Sequence, residues 1–194
     1  MPLSKIDTAA LAADSVDETI LDLAANFSFS GTISGAGGGK LLNVSHHVSN
    51  TSISGGGVVP HDNTVPLHNE GTQIMAATYD PISATSSLIF LINVYGNENT
   101  NLADRITYTF YDGTTNGFIG MAYQDATNHG NGNQWNQTSF ALEYTPPNAN
   151  SRVYRLRGAC NHGTFESLDT TTYIQRSRYG ANIKNSITIF EVEA

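Results

Sequence analysis

Between Leu41 and Val192 the apolar residues come in short runs, each closed by Gly, Pro, Asn or Asp, and no run repeats with a helical period. That pattern constrains the fold more than any other feature of the chain. A short alternating run bounded by turn formers is what a half-buried strand needs. The runs predict strands near 41–48, 73–79, 87–95, 105–111, 117–123, 138–144, 152–159, 171–176 and 184–192. In DRITYTFYDG, Ile106, Tyr108 and Phe110 share a face; in NSITIFEVE, Ile187 and Ile189 do, with Glu191 on the same side. SSLIFLINVYG is almost continuously apolar and is expected to be the most buried strand. YDPISATS, YDGTTNG, NHGNGN and TPPNANS signal turns. Many short strands with no helix between them predict an all-β fold over residues 40–194, a jelly-roll β-sandwich.

Residues 1–27 read differently. Ser15 to Glu18 (SVDE) form a capping box, in which Ser15 and Glu18 satisfy each other's backbone amides. Behind it Val16, Ile20 and Leu23 fall at i, i+4 and i+7, the stripe of a short helix. Leu11 and Leu21 complete the apolar set of a candidate partner-binding arm. A helix this short is marginal in water and needs a surface to lie against. Residues 28–39 are rich in Gly and Ser. SGAGGGKLLN superficially resembles a phosphate loop, but Ser34 stands at the first glycine position and Leu41 where Ser or Thr would hold magnesium. The Gly-x-Gly-x-x-Gly pattern fails at Lys40. The glycines read instead as a linker between arm and body, spanning at most roughly 40 Å.

Charge narrows the partners. Nine Lys plus Arg stand against seventeen Asp plus Glu, a net charge of −8, whereas nucleic-acid binding calls for a basic face. Asp7, Asp14, Asp17, Glu18 and Asp22 against Lys5 place −4 of it in residues 1–25. Cys160 is the single cysteine, so no intrachain disulfide forms. No apolar run approaches the roughly 20 residues of a membrane span, and MPLSKIDTAALAADS has no signal-peptide core. A soluble protein made in the cytoplasm, with no membrane or nucleic-acid partner, is expected.

Catalytic and metal chemistry find little purchase. His46 and His47 are adjacent in a strand and point to opposite faces, so they cannot chelate one ion, and no His-x-x-x-His or Cys-x-x-Cys spacing occurs. No Gly-x-Ser-x-Gly elbow exists, and Cys160-Asn161-His162 is more simply a packed cysteine before a turn. Asp112, Asp125, Glu143 and Glu166 are carboxylates without a spacing that marks a pair. No enzyme activity, metal or cofactor is expected. Arg155 and Arg157 share a strand face, read as solvated or facing a neighbouring subunit. In NHGNGNQWNQT the only tryptophan, Trp135, stands among Asn131, Asn133, Gln134 and Asn136. Such a loop can stack and hydrogen-bond a sugar; alternatively Trp135 plugs the core or an oligomer seam.

Residues 55–94 resemble a segment of tailed-phage virion proteins, through Pro60, Asp62, Thr64, Pro66, Glu70 and Gly71, then Pro81, Ser83, Ala84 and Ser86. The final strand of that family is similar at Ser186, Ile187, Thr188 and Glu191, and SRVYRLRGACNHGT at Arg157. The N-terminus looks like those of structural proteins from phages of aquatic hosts. His61 departs from the pattern, where an aromatic is commoner, and no coiled-coil shaft is present. The resemblance implies a knob like those of the tumour-necrosis-factor type, assembled as a homotrimer on a virion, with no catalytic residues. A threefold axis could then repeat one histidine three times. The function implied is capsid decoration or cement, docked on other virion proteins through the arm. The rival is the receptor-recognising knob of a short tail fibre or spike, binding a host surface glycan.

Overall fold

The computed structural model describes residues 40–98, 104–126, 136–160, 164–168 and 183–193. They form β1 (Leu41–Ser49), β2 (Ile53–Gly55), β3 (Thr72–Tyr79), β4 (Ser87–Glu98), β5 (Asp104–Asp112), β6 (Gly117–Ala126), β7 (Asn136–Tyr144), β8 (Arg152–Cys160), β9 (Phe165–Ser167) and β10 (Asn185–Val192). Eight of these coincide with expected strands. The expected strand at 171–176 lies outside the described residues. The three-residue strands β2 and β9, which pair with each other, carry too little pattern to have been anticipated.

One sheet runs β1-β10-β4-β9-β2, with β7 also on β4; the other runs β3-β8-β5-β6. The pairings nest. β5 with β6 is innermost, then β4 with β7, β3 with β8, and β1 with β10, all antiparallel. One long ribbon, rolled so that its two arms fall into two facing sheets, is a jelly roll. The fold expected from the strand pattern is the fold observed.

Alternation builds the core. Leu88, Phe90, Ile92 and Val94 of β4, with Ile187 and Ile189 of β10, meet Ile106, Tyr108 and Phe110 of β5 and Tyr154 and Leu156 of β8. The Phe90 ring packs edge-on against Phe110 at 4.9 Å and tilted against Tyr154 at 4.7 Å. Gly158 is required where Phe165 crosses β8, because a Cβ there would stand 2.4 Å from the ring.

The outward side of β4 corrects an expectation. The strand is not buried on both faces: Ile89 is 37% and Leu91 40% exposed, while their inward neighbours are fully buried. Its sequence is apolar on both sides, but the roll covers only one.

Candidate functional site

The residues that carry the resemblance hold two loops in place. Glu191, fully buried near the end of β10, accepts hydrogen bonds from the Tyr79 hydroxyl (2.6 Å), the Ile82 amide (2.8 Å), the Ser83 amide (3.0 Å) and the Ser86 hydroxyl. This one carboxylate ties the turn between β3 and β4 to the last strand. Burial pushes its pKa up, but the donors from Ser86, Tyr79, Ile82 and Ser83 outweigh that and hold it below the usual carboxylate range. Burial, and then the bond to Glu191, push Tyr79 up to about 12. Ser83 and Ser86 therefore have structural roles.

A second lock holds residues 58–71 across the outward face of the β3-β8-β5-β6 sheet. Arg157 donates to the carbonyls of Glu70 (2.7 Å), Gly71 (2.6 Å) and Asn69 (3.3 Å). The Gly71 amide donates to Val58 at 3.1 Å, and Gly71 holds φ +71°, which favours glycine. Glu70 accepts from the Leu67 amide, and Asp62 from the amide and hydroxyl of Thr64. Arg157 is thus committed to a loop within its own chain, which replaces the reading of a solvated or intersubunit arginine. Arg152 points to the other side of β8 and pairs with buried Asp112, which also accepts from Tyr144 at 2.9 Å.

Two surfaces result. Between the tethered loop and strands β5 and β6 lies a groove of about 420 Å³. Val59, Pro60, His61, Asp62, Thr64 and Pro66 form its loop wall. Arg105, Thr107, Met121 and Tyr123 form the sheet wall. The register sets Thr107 opposite Tyr123, so the two share a face. Tyr123 is 66% exposed and Thr107 is buried.

The other surface is the outward face of the sheet that holds β4. Register places Val44, Phe190 and Ile89 in one row, His46, Thr188, Leu91 and Ala141 in the next, and Val48, Ser186, Asn93 and Ser139 in a third. Val44 and Val48 are about half exposed, as are Leu41 beside them and, to a lesser degree, Ile89 and Leu91. Glu143, at the end of the first row, is the charged side chain of these rows. The exposed large apolar side chains of this face, Leu41, Val44, Val48, Ile89 and Leu91, stand on β1 and β4.

His46 and His47 take opposite faces as expected. His46 bonds Thr188 on the outward face (2.8 Å), and half-buried His47 bonds Ser45 (2.9 Å). Burial, then the charge of His46, push His47 below its ordinary pKa. Among the described residues no three His, Cys, Asp or Glu side chains gather as a metal group, and no helix is long and apolar enough to cross a membrane. Of the candidate glycan loop, only Asn136 is described; it opens β7 opposite Gly96. Asn131, Asn133, Gln134 and Trp135 lie outside the described residues, as do Leu11, Val16, Ile20, Leu21 and Leu23 of the arm. The groove was not foreseen: His61 and Asp62 lie some forty residues and more from Arg105 and Tyr123, and only the roll brings them together.

No protein-family model matches the chain, and no curated protein matches its sequence. Among solved structures, Eiger TNF from S. frugiperda is 13% identical with a TM-score of 0.42, over 80% of this chain and 96% of that one. A chain of the T13 particle of infectious bursal disease virus is 13% identical, TM-score 0.37, over 78% of this chain and 36% of its own length. The C-terminal CBM6 of LamC, a marine laminarinase from Zobellia galactanivorans, is 13% identical, TM-score 0.30, over 76% and 99%. Likenesses this distant carry no functional inference. The jelly-roll assignment rests on the nested strand pairing of this chain itself.

Proposed function

We propose that this chain is a virion structural protein of a tailed phage, a homotrimeric decoration or cement protein that docks through its N-terminal arm and displays the jelly roll outward. The observation that carries the proposal is the two-sided apolarity of β4. Its inward residues build the core, and its outward residues Ile89 and Leu91 sit on the outward face with Val44 and Phe190. Another copy of this chain is the occupant that suits an almost uncharged face on a protein of net charge −8, since copies would otherwise repel. The resemblance to phage virion proteins supports three copies and a particle location, and the role is adhesive rather than catalytic.

The arm supplies the grip. Burying Val16, Ile20 and Leu23 contributes about 1.5–3 kcal/mol each before ordering costs, and three arms on one trimer multiply weak contacts into firm attachment. Deleting residues 1–27 is expected to leave a folded trimer that no longer joins particles. Wild-type occupancy of virions by the shortened protein would move the anchor to the jelly roll. A second reading, the receptor-recognising knob of a short fibre or spike, is favoured by the groove beside Tyr123.

A further inference from the structure

We propose that the groove between residues 59–66 and strands β5 and β6 is a carbohydrate site that takes a neutral pyranoside. Tyr123 stands exposed in the sheet wall of the groove. An aromatic ring left 66% exposed on the wall of a groove, with the Met121 side chain in the same wall, presents a flat apolar face to solvent. A pyranose ring offers the matching surface, a patch of axial C–H groups. Tyrosine contacts it at low conformational cost because it has only two side-chain torsions to fix.

The polar groups suit hydroxyls. Asp62 uses Oδ1 to accept from the Thr64 amide and hydroxyl, which fixes the carboxylate plane. Its Oδ2 is the atom left to accept from a ligand hydroxyl. His61 brings its ring nitrogens to the same groove, and Thr107, 3% exposed, belongs to the sheet wall. A sugar hydroxyl donates and accepts at once, so it can bond a carboxylate and an imidazole side by side. A polyanion would meet Asp62 and a chain of net charge −8. An aliphatic ligand would strand the polar groups. The volume of about 420 Å³ falls among small-ligand sites.

Both walls are held before any ligand arrives. Arg105, Thr107, Met121 and Tyr123 stand on paired strands, and the loop is fastened by Arg157. The site is complete within one chain, so it stands whether or not the protein is carried on a virion. It deepens the receptor-knob reading by naming a ligand class, on residues other than those of the 131–136 loop.

The test is saturation-transfer NMR on the full chain with methyl β-glucopyranoside, methyl β-galactopyranoside and methyl α-mannopyranoside, with sialyllactose as the acidic comparison. Transfer to the ring protons of at least one neutral glycoside is expected. Tyr123→Ala should weaken that binding by at least about tenfold without moving the melting temperature, and Tyr123→Phe should restore it. Asp62→Ala should weaken it as well. No transfer to any neutral glycoside, binding that survives Tyr123→Ala, or response to sialyllactose alone would each overturn the proposal. None of these results bears on trimer formation, which uses the other sheet.

Discussion

Replacing Glu191 by alanine removes one acceptor from four donors at once. Two of them, the hydroxyls of Tyr79 and Ser86, belong to buried residues with no ready path to water. A buried donor left without a partner costs about 1–3 kcal/mol. Ser86 retains the Ser83 carbonyl at 2.8 Å, and the amides of Ile82 and Ser83 lie in a surface turn where water can replace the carboxylate. Adding about 1–3 kcal/mol for the stranded Tyr79 hydroxyl to about 1.5–3 kcal/mol for the charged hydrogen bond that Ser86 loses gives a net loss of about 3–5 kcal/mol, a large share of the stability of about 5–15 kcal/mol typical of a folded domain. Glu191→Gln keeps the shape and one acceptor oxygen, and should lose less, about 2 kcal/mol. The pH dependence has a definite sign. The folded pKa of Glu191 is depressed, so its contribution is fully present above the ordinary carboxylate value and is lost as pH falls from there through the lower folded value. Urea denaturation at fixed protein concentration, at neutral pH and through an acid series, reads both effects. The reasoning fails if Glu191→Ala stays within about 1 kcal/mol of wild type, or if it loses stability in acid as steeply as the parent.

Arg157→Ala should unfasten residues 58–71, speeding hydrogen exchange at the Gly71 amide while costing about 1–3 kcal/mol, because its guanidinium donates to three carbonyls. Unchanged exchange there would mean that the loop is held by the bond between Gly71 and Val58 alone. Gly158→Ala should cost about 1–3 kcal/mol in thermal unfolding, since the buried Phe165 ring stands where the new methyl must go. A neutral outcome would show that the ring moves aside at little cost.

Much of the roll was legible because its signal is local. Alternation in β5 and β10 assigned Ile106, Tyr108, Phe110, Ile187 and Ile189 to the core, and put Glu191 among them. A carboxylate at a core position of a strand already hints at a buried network, although its partners over a hundred positions away do not show in the sequence. The apolar run of β4 was legible as a strand but not as a surface. Continuous apolarity reads the same whether the second face meets another layer of the chain or another copy of it. Arg157 was misread for a related reason: a charged residue on an outward strand face looks solvated until a loop is known to cross it. The groove depends on juxtaposition alone, since no window of sequence holds His61, Asp62, Arg105 and Tyr123 together.

The central claim is that the outward face of β1, β10, β4 and β7, with its exposed apolar side chains on β1 and β4, seats further copies of the chain. Light scattering coupled to size exclusion tests it most directly, on the wild type and on Leu91→Asp. Leu91 is 40% exposed in the single chain, so the substitution should leave the fold and its circular dichroism intact. At an interface, however, it would bury a charge without a partner. The account predicts a three-copy mass for the wild type at micromolar concentration and a folded monomer for Leu91→Asp. A monomeric wild type, or a trimer that survives Leu91→Asp, would contradict it.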